Sequence, residues 1–390
     1  MRTILGAVLS LTLAASATFA QEIKADNAGA IKAALAAAGP GDTIVIKAGE
    51  YDMGGSAATG KNGTKEQPIT MRCEGDKGYA RLNLRGQVAF RVKNKFWVFQ
   101  GIHFNGDRKG TSAAVFMDGP GGCGDVRFVD CKISGSADHG MKGAKLREKP
   151  VDNVVIEHTE LFNTGATGFD LVSGDNWVVR GCYVHDYGQD GGVTYGIFLK
   201  GGGKHGIIEG NIVDGKKKNT TLGISFGGGL TGKQWLPMGA DGKLGPEHDG
   251  GICRNNIVIN AADSSYHSNN GANCKFYNNL TWGGDTFQRQ AAYPKDPVLM
   301  NNLIGGNTSK GASESKNNMA PKKEWFVNPD DCDFRLTDAG KAALAGKGAP
   351  VALEECPTDF FGTKRDAASP CLGPVLPDAK ESTKWVDRRK

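Results

Sequence analysis

Three side chains in this sequence stand where alternation along short apolar runs aims them outward together. They are Lys142 in HGMKG, Asp170 in TGFDLVSG and Lys200 in YGIFLKGGG. With Phe169 and Leu171, Ile197 and Leu199, and Ile224 and Phe226 taken as inward, the outward set is Lys142, Asp170, Phe198, Lys200 and Ser225. If these runs are neighbouring strands, ~4.8 Å apart, the set shares one patch. Such a patch suits an acidic sugar. Taking the C5 proton from a uronic acid requires a cation to neutralise the sugar carboxylate, a base, and a proton for the leaving oxygen. A lysine can be the base where a neighbouring cation lowers its pKa. Lys200 is the candidate base, and the glycines after it let a polymer approach closely. His139, Lys142 and Tyr195 are candidate assistants. Calcium, which prefers several hard oxygen ligands, could supply the cation, with Asp170 and the loop carboxylates Asp186 and Asp190 of HDYGQDGG as ligands. Phe198, Ser225 and the loop residue Trp235 are candidate substrate contacts. His185 and His267 read as surface residues, and Lys216-Lys217-Lys218 as a loop tip.

These residues need a scaffold that repeats. One pattern recurs: two or three apolar residues, two polar or Gly/Asn positions, then alternation again. It appears as WVFQGIHF from Trp97, VRFVDCKI from Val126, NVVIEHTEL from Asn153 and NWVVRGCYV from Asn176. It returns as HGIIEGNIV from His205, GICRNNIVI from Gly251, CKFYNNLTW from Cys274 and VLMNNLIG from Val298. Equivalent positions are Gly101, Asp130, His158, Gly181, Gly210, Asn255, Asn278 and Asn301, and residues of these types tolerate the positive φ of a bend. A second set of strands opens on Gly140, Gly168, Gly196 and Gly223, nearly one fixed interval apart. Each coil is too short to bury a core alone, so the coils must stack in parallel, pairing backbone above and below. The expected architecture is all-β: a single-stranded right-handed parallel β-helix of roughly nine to eleven coils. A sandwich would need tight hairpins that the repeat does not contain.

An open solenoid exposes unpaired edges and needs caps. The run Ala28 to Ala38 (AGAIKAALAAA) predicts an N-terminal capping helix, and residues 331–390 a C-terminal capping segment. The interval between Gly210 and Asn255 predicts a projecting loop over Gly227 to Gly250. The start of the chain, Arg2 followed by an apolar run to Leu13 and small residues to Ala20, has the pattern of a signal peptide cleaved before Gln21. The expected division is therefore signal peptide 1–20, β-helix with its N-terminal cap 21–330, and C-terminal cap 331–390. The protein is expected to be secreted or periplasmic, monomeric, without membrane insertion. The net charge of +5 among 390 residues is mild and does not point to nucleic acid. Nine cysteines in an exported chain predict disulfides, with Cys253–Cys274 and pairings among Cys332, Cys356 and Cys371 foremost.

The opening PGDTIVIKAGEY with GTKEQPITMRCEG, and the closing FVNPDDCDFRL with DFFGTKRD, resemble the pectate-lyase-like superfamily of parallel β-helix proteins. Within it, 138–229 is most similar to calcium-dependent lyases of the pectate lyase family 9 kind. That family places one Asp on one coil, a GFD cluster on the next and a lysine in a later strand ending in glycines. Here the matching residues are Asp138 in ADHG, Asp170 in TGFD and Lys200 in GIFLKGGG. The resemblance implies a secreted polysaccharide lyase acting on a uronic-acid polymer by calcium-assisted β-elimination, with Asp138 and Asp170 as metal ligands; the loop carboxylates Asp186 and Asp190 complete the expected metal set. One scaffold carries several chemistries, so a uronate C5-epimerase, a glycoside hydrolase built on Asp170, Asp186 and Asp190, and a non-catalytic polysaccharide-binding adhesin stand as alternatives.

Overall fold

The computed structural model describes residues 20–144, 149, 151–216, 220–228, 231, 235–236, 238, 242–284, 286–290, 297–305 and 312–390. The signal-peptide expectation, and Lys217 and Lys218 of the lysine run, fall outside them. Three long parallel sheets run the length of the chain, with twelve, nine and nine strands. The first runs from Glu22–Lys24 to Glu314–Lys316, the second from Gly49–Asp52 to Leu280–Trp282, and the third from Ala57–Ala58 to Phe287–Gln290. Nine successive coils each add one strand to each sheet, and the first sheet gains Glu22–Lys24 before them and Val298–Met300 and Glu314–Lys316 after them. A single continuous core of apolar side chains, among them Phe90, Phe99, Phe128, Phe169, Ile197, Ile224 and Phe276, fills the interior. Phe169, Leu171, Ile197, Leu199, Ile224 and Phe226 all point inward, as alternation requires.

The bend between the first and second sheets explains the repeat. All eight positions picked out by the pattern have positive φ, from 48° at Asp130 to 65° at Gly101. Each turns the chain by a single left-handed residue, which Gly, Asn, Asp and His adopt most readily. The residue after each bend points in. From Asn211 onward it is Asn, and the side chains of Asn211, Asn256, Asn279, Asn302 and Asn318 form a buried ladder, each amide donating to the next at 2.8–3.0 Å.

The glycines that open the third sheet's strands have a packing reason. A Cβ on Gly196 would stand 2.4 Å from Val213 Cγ1, and one on Gly223 2.5 Å from Val258 Cγ1. Only glycine lets the chain turn this corner against the second sheet, and the corner sets where Phe198, Lys200 and Ser225 emerge.

The N-terminal helix is Ala28–Ala37, capped by Asn27, whose side chain accepts from Ala30 N at 2.9 Å. It lays Ile31, Ala34 and Leu35 over the first coil and closes that end of the core. At the far end an antiparallel pair, Phe326–Asn328 with Asp333–Leu336, and the helix Asp338–Leu344 pack as a second cluster. The chain then returns along the bend between the first two sheets. Asp387 there accepts from Tyr79 at 2.7 Å, and Arg389 donates to Gly78 O at 2.6 Å.

The disulfide expectation is corrected: all nine cysteines are free thiols, eight of them buried. Cys253 stacks on Phe276, not on Cys274, and their thiols turn to Asn279 and to Ala272 O and His248 O respectively. One repeat of separation in sequence is thus not contact in space. Cys356 points at Asn255 and Asn278, while Cys371 points at Leu372 O and Val375 O. Among the described residues no helix is long and apolar enough to cross a membrane.

Candidate functional site

The third sheet stacks its outward side chains in one column. Its register carries Arg91, Phe116, Lys142, Asp170, Phe198, Ser225 and His267 one above the next. Lys200 follows two residues beyond Phe198, on the same face. The patch expected from alternation is therefore formed, and Asp170 is its centre.

Asp170 is only 1% exposed. Lys142 Nζ donates to its Oδ2 at 2.5 Å, and Lys200 Nζ lies 3.3 Å from Oδ1. His139 Nδ1 stands 3.5 Å from Oδ2, and its Nε2 accepts from Lys142 at 3.2 Å. That contact leaves the ring proton on Nδ1, facing the carboxylate. Burial by itself would push the Asp170 carboxyl up. Lys200, Lys142 and His139 together outweigh it and hold the group below the ordinary carboxylate value. For His139 burial is the largest cause and lowers the imidazole below its usual value; Asp170 opposes this and Lys142 adds to it. At neutral pH the cluster is one carboxylate, one neutral imidazole and two lysine side chains. It carries more positive than negative charge, which suits an incoming carboxylate.

Beside it lies an apolar platform. Lys200 Nζ sits 4.3 Å above the Phe198 ring, and Phe198 stacks on Tyr195 with centroids 4.3 Å apart. Burial, followed by Asp263, raises the Tyr195 phenol, which is hydrogen-bonded to Asn269. Two of the expected substrate contacts are not at the surface. Phe198 is 3% exposed and Ser225 fully buried. Ser225 Oγ donates to Gly227 O at 2.5 Å and meets His267 Nδ1 at 3.1 Å. His267, expected on the surface, is buried as well. The start of the long loop covers Phe198 and Ser225: a Cβ on Gly228 would stand 2.5 Å from the Phe198 ring, and Gly227 O takes the Ser225 hydroxyl. Trp235, on that loop, is half-buried.

The other three carboxylates of the expected metal set do not join Asp170. Asp138 accepts from Ser112 Oγ at 2.7 Å. Asp186 faces His185 Nδ1 at 2.6 Å on the second-sheet side. Asp190 takes both ends of the Arg108 guanidinium at 2.9 and 2.8 Å, and that contact holds its carboxyl below the usual range. Among the described residues no three His, Cys, Asp or Glu side chains converge as metal ligands. Calcium seeks six to eight oxygens; Asp170 offers two, and both face lysine nitrogens. The residues present do not fit a calcium ion at Asp170.

Two supporting residues escaped the sequence reading. Glu247, fully buried, accepts from Gly201 N at 3.0 Å, from Thr231 N at 2.7 Å and from the Thr231 hydroxyl. It ties the residue after Lys200 to both ends of the long loop. Arg108 joins loops 82 residues apart. Neither lies in the repeat, so no periodic signal marks them.

A family model described as "Right handed beta helix region" matches residues 113–287. Among solved structures, pectate lyase Pel9A is similar with a TM-score of 0.61 and 14% identity, over 92% of this chain and 97% of its own. The alginate lyase from Paenibacillus sp. str. FPU-7 is similar with a TM-score of 0.54 and 18% identity, over 77% of this chain and 98% of its own. A comparison with curated proteins gives no match. The chain thus has the right-handed parallel β-helix fold that its sequence resembles; at these identities the likeness is one of fold.

Proposed function

We propose that this protein is a polysaccharide lyase that cleaves a uronic-acid polymer by β-elimination, with Lys200 taking the C5 proton. The observation that carries the reading is the convergence of Lys142 and Lys200 on the buried Asp170, beside neutral His139, on an outward face. In this reading Asp170 fixes both lysines, and Lys142 faces the sugar carboxylate and neutralises it. Lys200 first gives its own proton to solvent; a proton then leaves C5 for its free amine, the C4=C5 double bond forms, and the C4–O bond breaks. The leaving oxygen takes a proton, for which the Lys142–His139 contact is the nearest relay. No step passes through calcium. Hydrolysis would need a second carboxylate beside Asp170, and Asp186 and Asp190 are committed to His185 and Arg108. The signal-like run from Arg2 to Ala20 supports an activity outside the cytoplasm.

The test is a panel of pectate, alginate, glycosaminoglycans and neutral glucans, followed for new reducing ends and for absorbance near ~235 nm from the unsaturated product. Both signals on a polyuronate support the lyase. Reducing ends without absorbance make the protein a hydrolase, and neither signal on any polymer makes it an epimerase or a binding module.

A further inference from the structure

We propose that Arg91, with Phe116 beneath it, is a second site for an acidic sugar, two coils before Lys142 toward the N-terminus, so that the polymer lies along the solenoid axis. The inference rests on the reading of the outward column as a polyuronate groove. Arg91, Phe116 and Lys142 occupy successive strands in one register row. Two strand spacings separate Arg91 from Lys142, ~10 Å, which exceeds the length of one sugar ring. Arg91 therefore meets the carboxylate of a different sugar from the one at Lys142. The guanidinium lies 4.9 Å above the Phe116 ring, as Lys200 lies above Phe198. The cation-on-ring unit thus occurs on both sides of the Lys142–Asp170 pair.

Arg91 keeps donors free for this role. It gives Nη1 to Asp118 at 2.9 Å, and Asp118 also accepts from Gly121 N at 3.3 Å. One edge of the guanidinium is fixed by that pair, and its other N–H groups remain to grip a planar carboxylate. The Arg91 side chain is one-third exposed, whereas Asp118 is more covered. The ion pair aims Arg91 and leaves it the accessible partner. Phe116, half-buried between the two cations, offers its ring to a sugar face.

Affinity electrophoresis of the full chain in gels cast with pectate or alginate tests this without relying on catalysis. Wild-type protein should be retarded, and Arg91→Ala should weaken retention about tenfold, a charge-assisted contact's worth. Asp118→Asn removes the same ion pair but keeps the guanidinium, so it should remain retarded; equal loss in both variants would mean the pair is structural and would overturn the site. On whichever polyuronate yields the unsaturated product, Arg91→Ala should raise KM for polymer about tenfold more than for a trisaccharide. Product formation with no such length dependence and unaltered retention sinks the Arg91 site while the lyase stands. Arg91-dependent retention without product sinks the lyase while the site stands. No retention by either gel sinks the site.

Discussion

Two columns of side chains climb this solenoid, one turned into the core and one facing outward, and they are built on opposite rules. At the bend between the first and second sheets one residue type repeats, from Asn211 through Asn256, Asn279 and Asn302 to Asn318. An amide both donates and accepts, so each rung satisfies the next. Each also donates to a main-chain carbonyl, as Asn279 does to Cys253 O at 2.9 Å. Nothing is left over. On the third sheet's outward face every rung differs: Arg91, Phe116, Lys142, Asp170, Phe198, Ser225, His267. Two lysines share one carboxylate there, and the surplus charge has no partner in the column. Identical stacking closes the hydrogen bonding and makes structure; unlike stacking leaves an unmet demand that a ligand can fill.

The sharpest way to break this contrast is to delete one member of each column. Lys200→Ala removes the assigned base, and turnover on the active polyuronate should fall roughly 10²–10⁴-fold. Lys142 stays on Asp170, so thermal stability should change little. If turnover survives unchanged, another group takes the proton. Asn279→Ala should do the reverse. It removes the acceptor of Asn256 N and the side-chain donor to Cys253 O, while Asn302 Oδ1 keeps Asn279 N and Asn256 Nδ2 keeps Ile208 O, at about 1–3 kcal/mol for each buried group left unmade. A loss of the order of 2 kcal/mol or more in denaturant unfolding is expected, with kcat on the surviving folded protein preserved. A loss below about 1 kcal/mol would show that the ladder is incidental.

The two columns should also differ in their response to acid. Asp170 has a folded pKa below its unfolded value, so its contribution is present above about 3.9 and is lost as pH falls through the folded pKa. Asp170→Asn should therefore cost about 3 kcal/mol at pH 7, where it leaves two lysines facing an amide. That cost should shrink below pH ~4, because the wild type loses the same charge. The cost of Asn279→Ala should not change with pH, since no rung of the ladder titrates. His139 adds a milder slope of the same sign. Its folded pKa is depressed, so the unfolded chain alone gains a proton as pH drops below about 6.5, and stability declines. His103 and His248, both lowered to about 3 by burial, steepen that decline.

Much of the first column was legible in the sequence, and only part of the second. The bend positions from Gly101 to Asn301 follow from residue types that tolerate positive φ, a local rule that nothing distant overrides. The neighbours Lys142, Asp170 and Lys200 follow from period two and parallel register, which are equally local. What could not be read is anything made by loops. Asp186 and Asp190 lie near Lys200 in sequence, yet His185 and Arg108 draw them away. Phe198 and Ser225 face outward as predicted, but Gly227 and Gly228, at the start of the long loop, cover them. The cysteines fail for the same reason: equal spacing along the chain does not give equal depth in the coil, as Cys253 and Cys274 show.

The smallest expected effect concerns calcium, and it decides what the charged column has in place of a metal. A calcium site at Asp170 would need carboxylates that have other partners, and would set a divalent ion against Lys142 Nζ at 2.5 Å and Lys200 Nζ at 3.3 Å from the same group. The cation of the site is already supplied by the chain. Millimolar calcium should shift the melting temperature by about 1 °C or less, because a ligand that binds neither state better than the other adds no stability. EDTA should leave both stability and polyuronate cleavage where they were. Lys142→Ala sharpens the test, since it uncovers Asp170 Oδ2 and removes one repelling charge. If the column works by excluding the ion with its own lysines, calcium stabilisation should be larger in that variant than in the wild type. A large calcium shift in the wild type that Asp170→Asn abolishes would instead return Asp170 to the role of metal ligand.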